Sequence, residues 1–161
     1  MKINQWRYDS DYLNEVWDLL ANPAVQKLRR FTHHHHSNRL AHCIYVSYVS
    51  YLICKHYHLN AKAAARGGLL HDLFYYNWRT TKFSLGTHAF IHPRVALRNA
   101  ERITSLTPME KDIILKHMWG FTLARPKYKE SYVVSLVDDY AAVREFLTPI
   151  RQDFRRLWNK I

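Results

Sequence analysis

Imidazole and carboxylate side chains are the donors that divalent first-row metal ions prefer, and this chain holds them where leaving them unpaired is expensive. His42 falls inside a nearly all-apolar stretch, where an imidazole is costly unless its ring nitrogens find partners. Asp138 closes the run Val133-Val134-Ser135-Leu136-Val137, where an unpaired carboxylate would cost still more. His71 and Asp72 are adjacent, so one helix end can present two donors. With His92 and His117 they make six candidates, and a shared metal would satisfy all of them. The chain has 11 histidines, so some spacings arise by chance. A hydrogen-bonded core histidine is the alternative reading of each.

These residues need helices to position them. Ser10 or Asp11 can cap a first helix to about Leu20, and Asn22-Pro23 opens a short second one to about Arg30. The tract His33-His34-His35-His36 reads as a loop; it lines an entrance, binds adventitious metal or does nothing. From Asn38 to about His58 the chain is apolar on most sides, the pattern of a central, buried helix. Asn60 caps the next helix, whose Ala-Lys-Ala-Ala-Ala run favours helix and continues through Gly67-Gly68 to Asp72. Two glycines there permit close approach to a neighbouring helix. Residues 73–91 read as a loop over the site, and Pro93 is expected to open a helix to about Ser105. Thr107-Pro108-Met109-Glu110 has the cap, the proline and the glutamate of a capping box. One further helix is expected from about Ser131 to Phe146, and Pro149 to begin a last, basic one.

The segment His42-Cys43-Ile44-Tyr45-Val46-Ser47, with Leu69-Leu70-His71-Asp72 placed so that 28 residues separate the two histidines, resembles the HD superfamily of metal-dependent phosphohydrolases. The match spans about residues 36–146, and Asp138 takes the place of that family's last ligand. His92-Pro93 resembles the His-Pro of the two-metal branch, and His117 resembles that branch's next ligand. The resemblance implies an all-α, single-domain helical bundle over residues 1–161, with a metal site between central helices. It implies metal ligation by His42, His71, Asp72, His92, His117 and Asp138, with one or two ions of Mn, Fe, Co, Ni or Zn, and Mg allowed. Two departures stand out. The Ile-Gly-Lys that often follows His-Asp is here Leu73-Phe74-Tyr75, so the family's lysine is missing from that place. The Gly-Tyr-Pro motif of the cyclic-dinucleotide phosphodiesterases is absent too.

Such a site implies hydrolysis of a phosphomonoester or phosphodiester, nucleotide-like in kind, by a metal-activated water. Asp72 would bind metal and orient the nucleophile. Positive side chains should offset charge developing on the phosphoryl oxygens. Arg66 and Lys116 are the first candidates, with Arg39, Lys127 and Lys129 behind them, and a solvated surface cation is the alternative for each. Register favours Asp138 over Asp139, and Trp78 and Trp119 are candidates to stack on a base. Two other function classes stay open: a degenerate HD module that senses a nucleotide, and a basic helical nucleic-acid-binding protein.

Composition sets the outer bounds. A chain of 161 residues with 48% apolar residues can bury a core without disulfides or a structural metal. Four glycines and five prolines disfavour a turn-rich β-sandwich. Cys43 and Cys54 lie within one expected helix, about 16 Å apart along its axis, too far for a disulfide. They read as buried thiols of a reducing compartment. Lys and Arg number 24 against 13 acidic residues, giving +11, a charge that attracts anions. No helix-turn-helix or aromatic–basic motif favours nucleic acid. No uncharged apolar run is long enough to span a membrane, and residues 1–12 lack a signal-peptide core, so the expected location is the cytoplasm.

Overall fold

The computed structural model describes residues 5–32, 38–84 and 86–158, with side chains as far as residue 145 in the last helix. The His33–His36 tract lies outside the described residues. Local capping sets most of the helix starts. Asp9 accepts the Tyr12 amide and opens α1 (Ser10–Leu20), one residue earlier than expected. Asn22 caps α2 (Pro23–Gln26), which tightens into a 3-10 turn over Lys27–Arg30. Asn38 and Asn60 cap α3 (Arg39–His56) and α4 (Ala61–Leu70). Then come α5 (His88–Glu101), α6 (Pro108–Lys116) and α7 (Lys129–Trp158). Thr107 and Glu110 form the reciprocal capping box before α6. The fold is all-α, with no strand among the described residues. No helix among them is long and apolar enough to cross a membrane.

The helices assemble on the α3–α4 pair. One apolar cluster joins Tyr12, Val16 and Leu19 of α1 to Leu40 and Cys43 of α3 and Leu69 and Leu70 of α4. A second joins Val46 and Cys54 of α3 and Ala64 of α4 to Ile113 of α6 and Val134 and Val137 of α7. Because α3 feeds both clusters, its buried residues point to all sides, as its apolar sequence required. Both cysteines are buried and unbridged. The glycine pair acts as expected. A Cβ on Gly68 would stand 3.0 Å from the Ser47 Cα, and one on Gly67 would stand 2.7 Å from Ile113 Cγ2. Ser47 fixes this contact by donating to the Ala65 carbonyl at 2.6 Å.

Two proline signals do not set the boundaries expected of them. Helix α5 begins five residues before Pro93, capped at Thr87, so Pro93 lies inside it. A proline there forgoes one hydrogen bond to the Ala89 carbonyl. Aromatic packing of His88 on His92, with ring centroids 4.3 Å apart, and on Phe74 at 5.1 Å favours the longer helix. Helix α7 likewise runs unbroken through Pro149, so the expected separate C-terminal helix is part of α7.

Candidate metal centre

The helices α3 to α7 deliver the six candidate ligands to one place. His42 comes from the first half of α3, His71 and Asp72 from the end of α4, His92 from α5, His117 from the end of α6 and Asp138 from α7. The donor atoms of His42, His71 and Asp138 lie within 4.8 Å of one another, and so do those of His71, Asp72 and His117. His71 belongs to both groups. His92 joins the second, its Nε2 being 2.7 Å from His117 Nε2 and 3.4 Å from Asp72 Oδ1.

Three of the rings are oriented the same way. His71 Nδ1 faces the Gly68 carbonyl, His92 Nδ1 the His88 carbonyl and His117 Nδ1 the Ile114 carbonyl, each at 2.8 Å. A carbonyl only accepts, so each Nδ1 carries a proton and each ring turns its Nε2 inward. The buried His71 Nε2 has no hydrogen-bond partner among the described residues. The Nε2 atoms of His92 and His117 then meet lone pair to lone pair, an arrangement that a shared cation would relieve. Carboxylates and neutral imidazoles aimed at one point form the donor set that first-row divalent ions take. The residues present therefore fit a metal.

Electrostatics divide the centre. Burial opposes charge on His42, but hydrogen bonds to Asp138 at 2.8 Å and Glu145 at 3.2 Å outweigh it and push the pKa up to about 9. His71 is likewise pushed up to about 9, burial being outweighed by the charges of Asp138 and Asp72. Burial would raise the Asp138 pKa, yet the His71 and His42 charges hold it well below the usual carboxylate range. Burial lowers His92 to about 4; it also lowers His117, to about 3, with help from His92 and His71.

A cavity of about 540 Å³ opens over the centre, with Asp72, His92, His117 and Asp138 in its wall and Phe74, Trp78 and Phe121 around them. Asp139 lines it too, but Asp138 is the aspartate that faces the histidines. Two expected cations are elsewhere. Arg66 is held by Asp18 at 2.7 Å and Glu110 at 3.1 Å, so it ties α4 to α1 and α6. Lys116 is paired at 2.6 Å with Asp112, one helical turn back. Neither lines the cavity, and neither do Lys127, Lys129 or Arg39. Trp78 lines it, whereas Trp119 packs edge-on against Tyr132.

Two residues of the site were missed in the sequence. Glu145 stands two turns after Asp138, so it shares that face of α7 and reaches His42 Nδ1. His88, one turn before His92, lines the cavity and stacks on His92 and on Trp78. Expecting the helix to begin at Pro93 hid the His88-x-x-x-His92 pattern. Comparison with protein-family models, curated proteins and solved structures found no match to this chain.

Proposed function

We propose that the protein is a metal-dependent phosphohydrolase of the HD type, acting on a small, nucleotide-like phosphomonoester or phosphodiester. The observation that carries this reading is the inward aim of the Nε2 atoms of His71, His92 and His117 beside two aspartates. A divalent ion in such a donor set supplies Lewis acidity, lowering the pKa of a water and polarising a phosphoryl oxygen. His42, His71, Asp72 and Asp138 would hold one ion, and Asp72, His92 and His117 a second. The carbonyls of Gly68, His88 and Ile114 keep the three rings in the ligating tautomer. Asp72, in the wall of the cavity, would also orient the attacking water by accepting its hydrogen bond. Trp78 and Phe121 offer flat apolar surface to a base or another ring.

One observation favours a second reading, nucleotide sensing without turnover. Among the described residues no lysine or arginine lines the cavity, so no side-chain cation faces the phosphoryl oxygens. A screen of nucleotides, cyclic nucleotides and generic phosphoesters with Mn, Co, Ni or Mg separates the two. Hydrolysis is expected, and it should vanish with chelator and in Asp72→Ala. Tight nucleotide binding with no turnover under any of these metals overturns the hydrolase in favour of the sensor.

A further inference from the structure

A second pocket, of about 290 Å³, shares Trp78 with the cavity over the metal centre. Its wall includes Arg30, Arg39, Arg79, Thr32 and Asn77, and no carboxylate among the described residues. Arg39 is the unusual member. It is 0% exposed, yet no carboxylate among the described residues forms an ion pair with it. Its Nη1 and Nη2 donate to the carbonyls of Phe74 at 2.6 Å and Tyr76 at 3.3 Å. The guanidinium lies 3.6 Å from the Phe74 ring centroid and 5.3 Å from that of Phe31. Its Nε is buried without a hydrogen-bond partner among the described residues. Burial pulls the Arg39 pKa down, and the charge of Asp72 works against that.

Buried charges are costly unless paired. Carbonyl dipoles and ring faces hold Arg39 in place but do not neutralise it. Arg30 and Arg79 are exposed, and Arg79 rests over Trp78 at 5.2 Å. Three guanidiniums around one small concavity, with a hydroxyl and an amide beside them, suit a tetrahedral oxyanion. We propose that the Arg30–Arg39–Arg79 pocket is a phosphate-binding subsite, with Trp78 between it and the metal centre. It takes either free phosphate or the phosphate group of a ligand whose ring lies against Trp78. This proposal does not rest on metal binding at the neighbouring centre.

The test is calorimetric titration of the full chain with inorganic phosphate, followed in parallel by tryptophan fluorescence. Saturable binding is expected. The double variant Arg30→Gln/Arg79→Gln, which alters only exposed side chains, should weaken it about tenfold or more. Arg29→Gln, on the same 3-10 turn but outside the pocket, should leave it unchanged, and so should Asp138→Ala, which damages the metal centre. Binding lost in Asp138→Ala but intact in the double arginine variant would put the phosphate at the metal centre and overturn the subsite. An absence of saturable binding would overturn it as well. Phenyl phosphate, titrated in the Asp138→Ala background to prevent turnover, identifies the source. Tighter binding than inorganic phosphate, with the gain lost in Trp78→Ala, assigns the pocket to the phosphate group of a ring-bearing ligand. Equal affinities assign it to free phosphate.

Discussion

His42 and His117 are both buried imidazoles on the same centre, and their surroundings treat a positive charge in opposite ways. On the flank of α3 and α7, His42 lies between the carboxylates of Asp138 and Glu145, and its pKa rises to about 9. On the flank of α5 and α6, His117 faces another imidazole across 2.7 Å and its pKa falls to about 3. Burial is common to both, so neighbouring charge decides the difference. The carboxylate flank already stabilises a cation, whether a proton or a metal ion. The imidazole flank resists protons, which keeps its lone pairs free to ligate down to low pH.

The largest expected effect comes from Asp72, which the proposed function gives to both ions. Asp72→Ala should reduce metal to background by elemental analysis and remove hydrolysis, with helical content near wild type by circular dichroism. Full metal occupancy in that variant would mean Asp72 is not a ligand. The next effect isolates the imidazole flank. A His92→Ala/His117→Ala double variant should lose one ion per chain. A wild-type stoichiometry of one, unchanged in the double variant, would reduce the centre to a single-ion site on the carboxylate flank.

Glu145→Gln probes the carboxylate flank through a group that orients a ligand. It should weaken metal binding by about 10–100-fold in competition with a chelator of known affinity, leaving the helical content intact. Wild-type affinity would show that Asp138 alone fixes His42.

The smallest effect is on the stability of the metal-free protein, and the two flanks should give it opposite slopes. His92 and His117 have folded pKa values of about 4 and 3, below the ordinary 6.5. The unfolded chain therefore binds more protons, and stability is lost as pH falls from 6.5 toward 4. Asp139, raised to about 6 by burial and by Asp138, opposes part of this loss. His42 and His71 have folded values of about 9, so their contribution is full below 6.5 and lost as pH rises through 9. Denaturant unfolding of chelator-treated protein should show both limbs, and the His92→Ala/His117→Ala variant should flatten only the acid one. An unchanged acid limb would separate these rings from the acid sensitivity.

Signals confined to one turn of chain are legible in the order of residues alone. The caps at Asn22 and Asn60, the Thr107–Glu110 box and the buried character of α3 need only neighbours within a few residues. The six candidate donors are legible by type, since histidine and aspartate in apolar runs require partners. Pro93 misleads because a proline's local cost, one lost hydrogen bond, is outweighed there by packing of His88 on Phe74, and Pro149 lies inside α7. The reading of Pro93 as a helix start also concealed His88.

The sequence by itself determined the all-α class, most of the helix starts, a close helix contact at Gly67-Gly68 and the types of the candidate donors. Only the tertiary structure decided which charges share a site. Arg66 went to Asp18 and Glu110, Glu145 to His42, and Arg39 to a pocket whose described wall holds no carboxylate. Helix formation is local, set by hydrogen bonds between residues four apart. The partners of Arg66 and Glu145 are 48, 44 and 103 positions away in the chain, and packing alone brings them within reach.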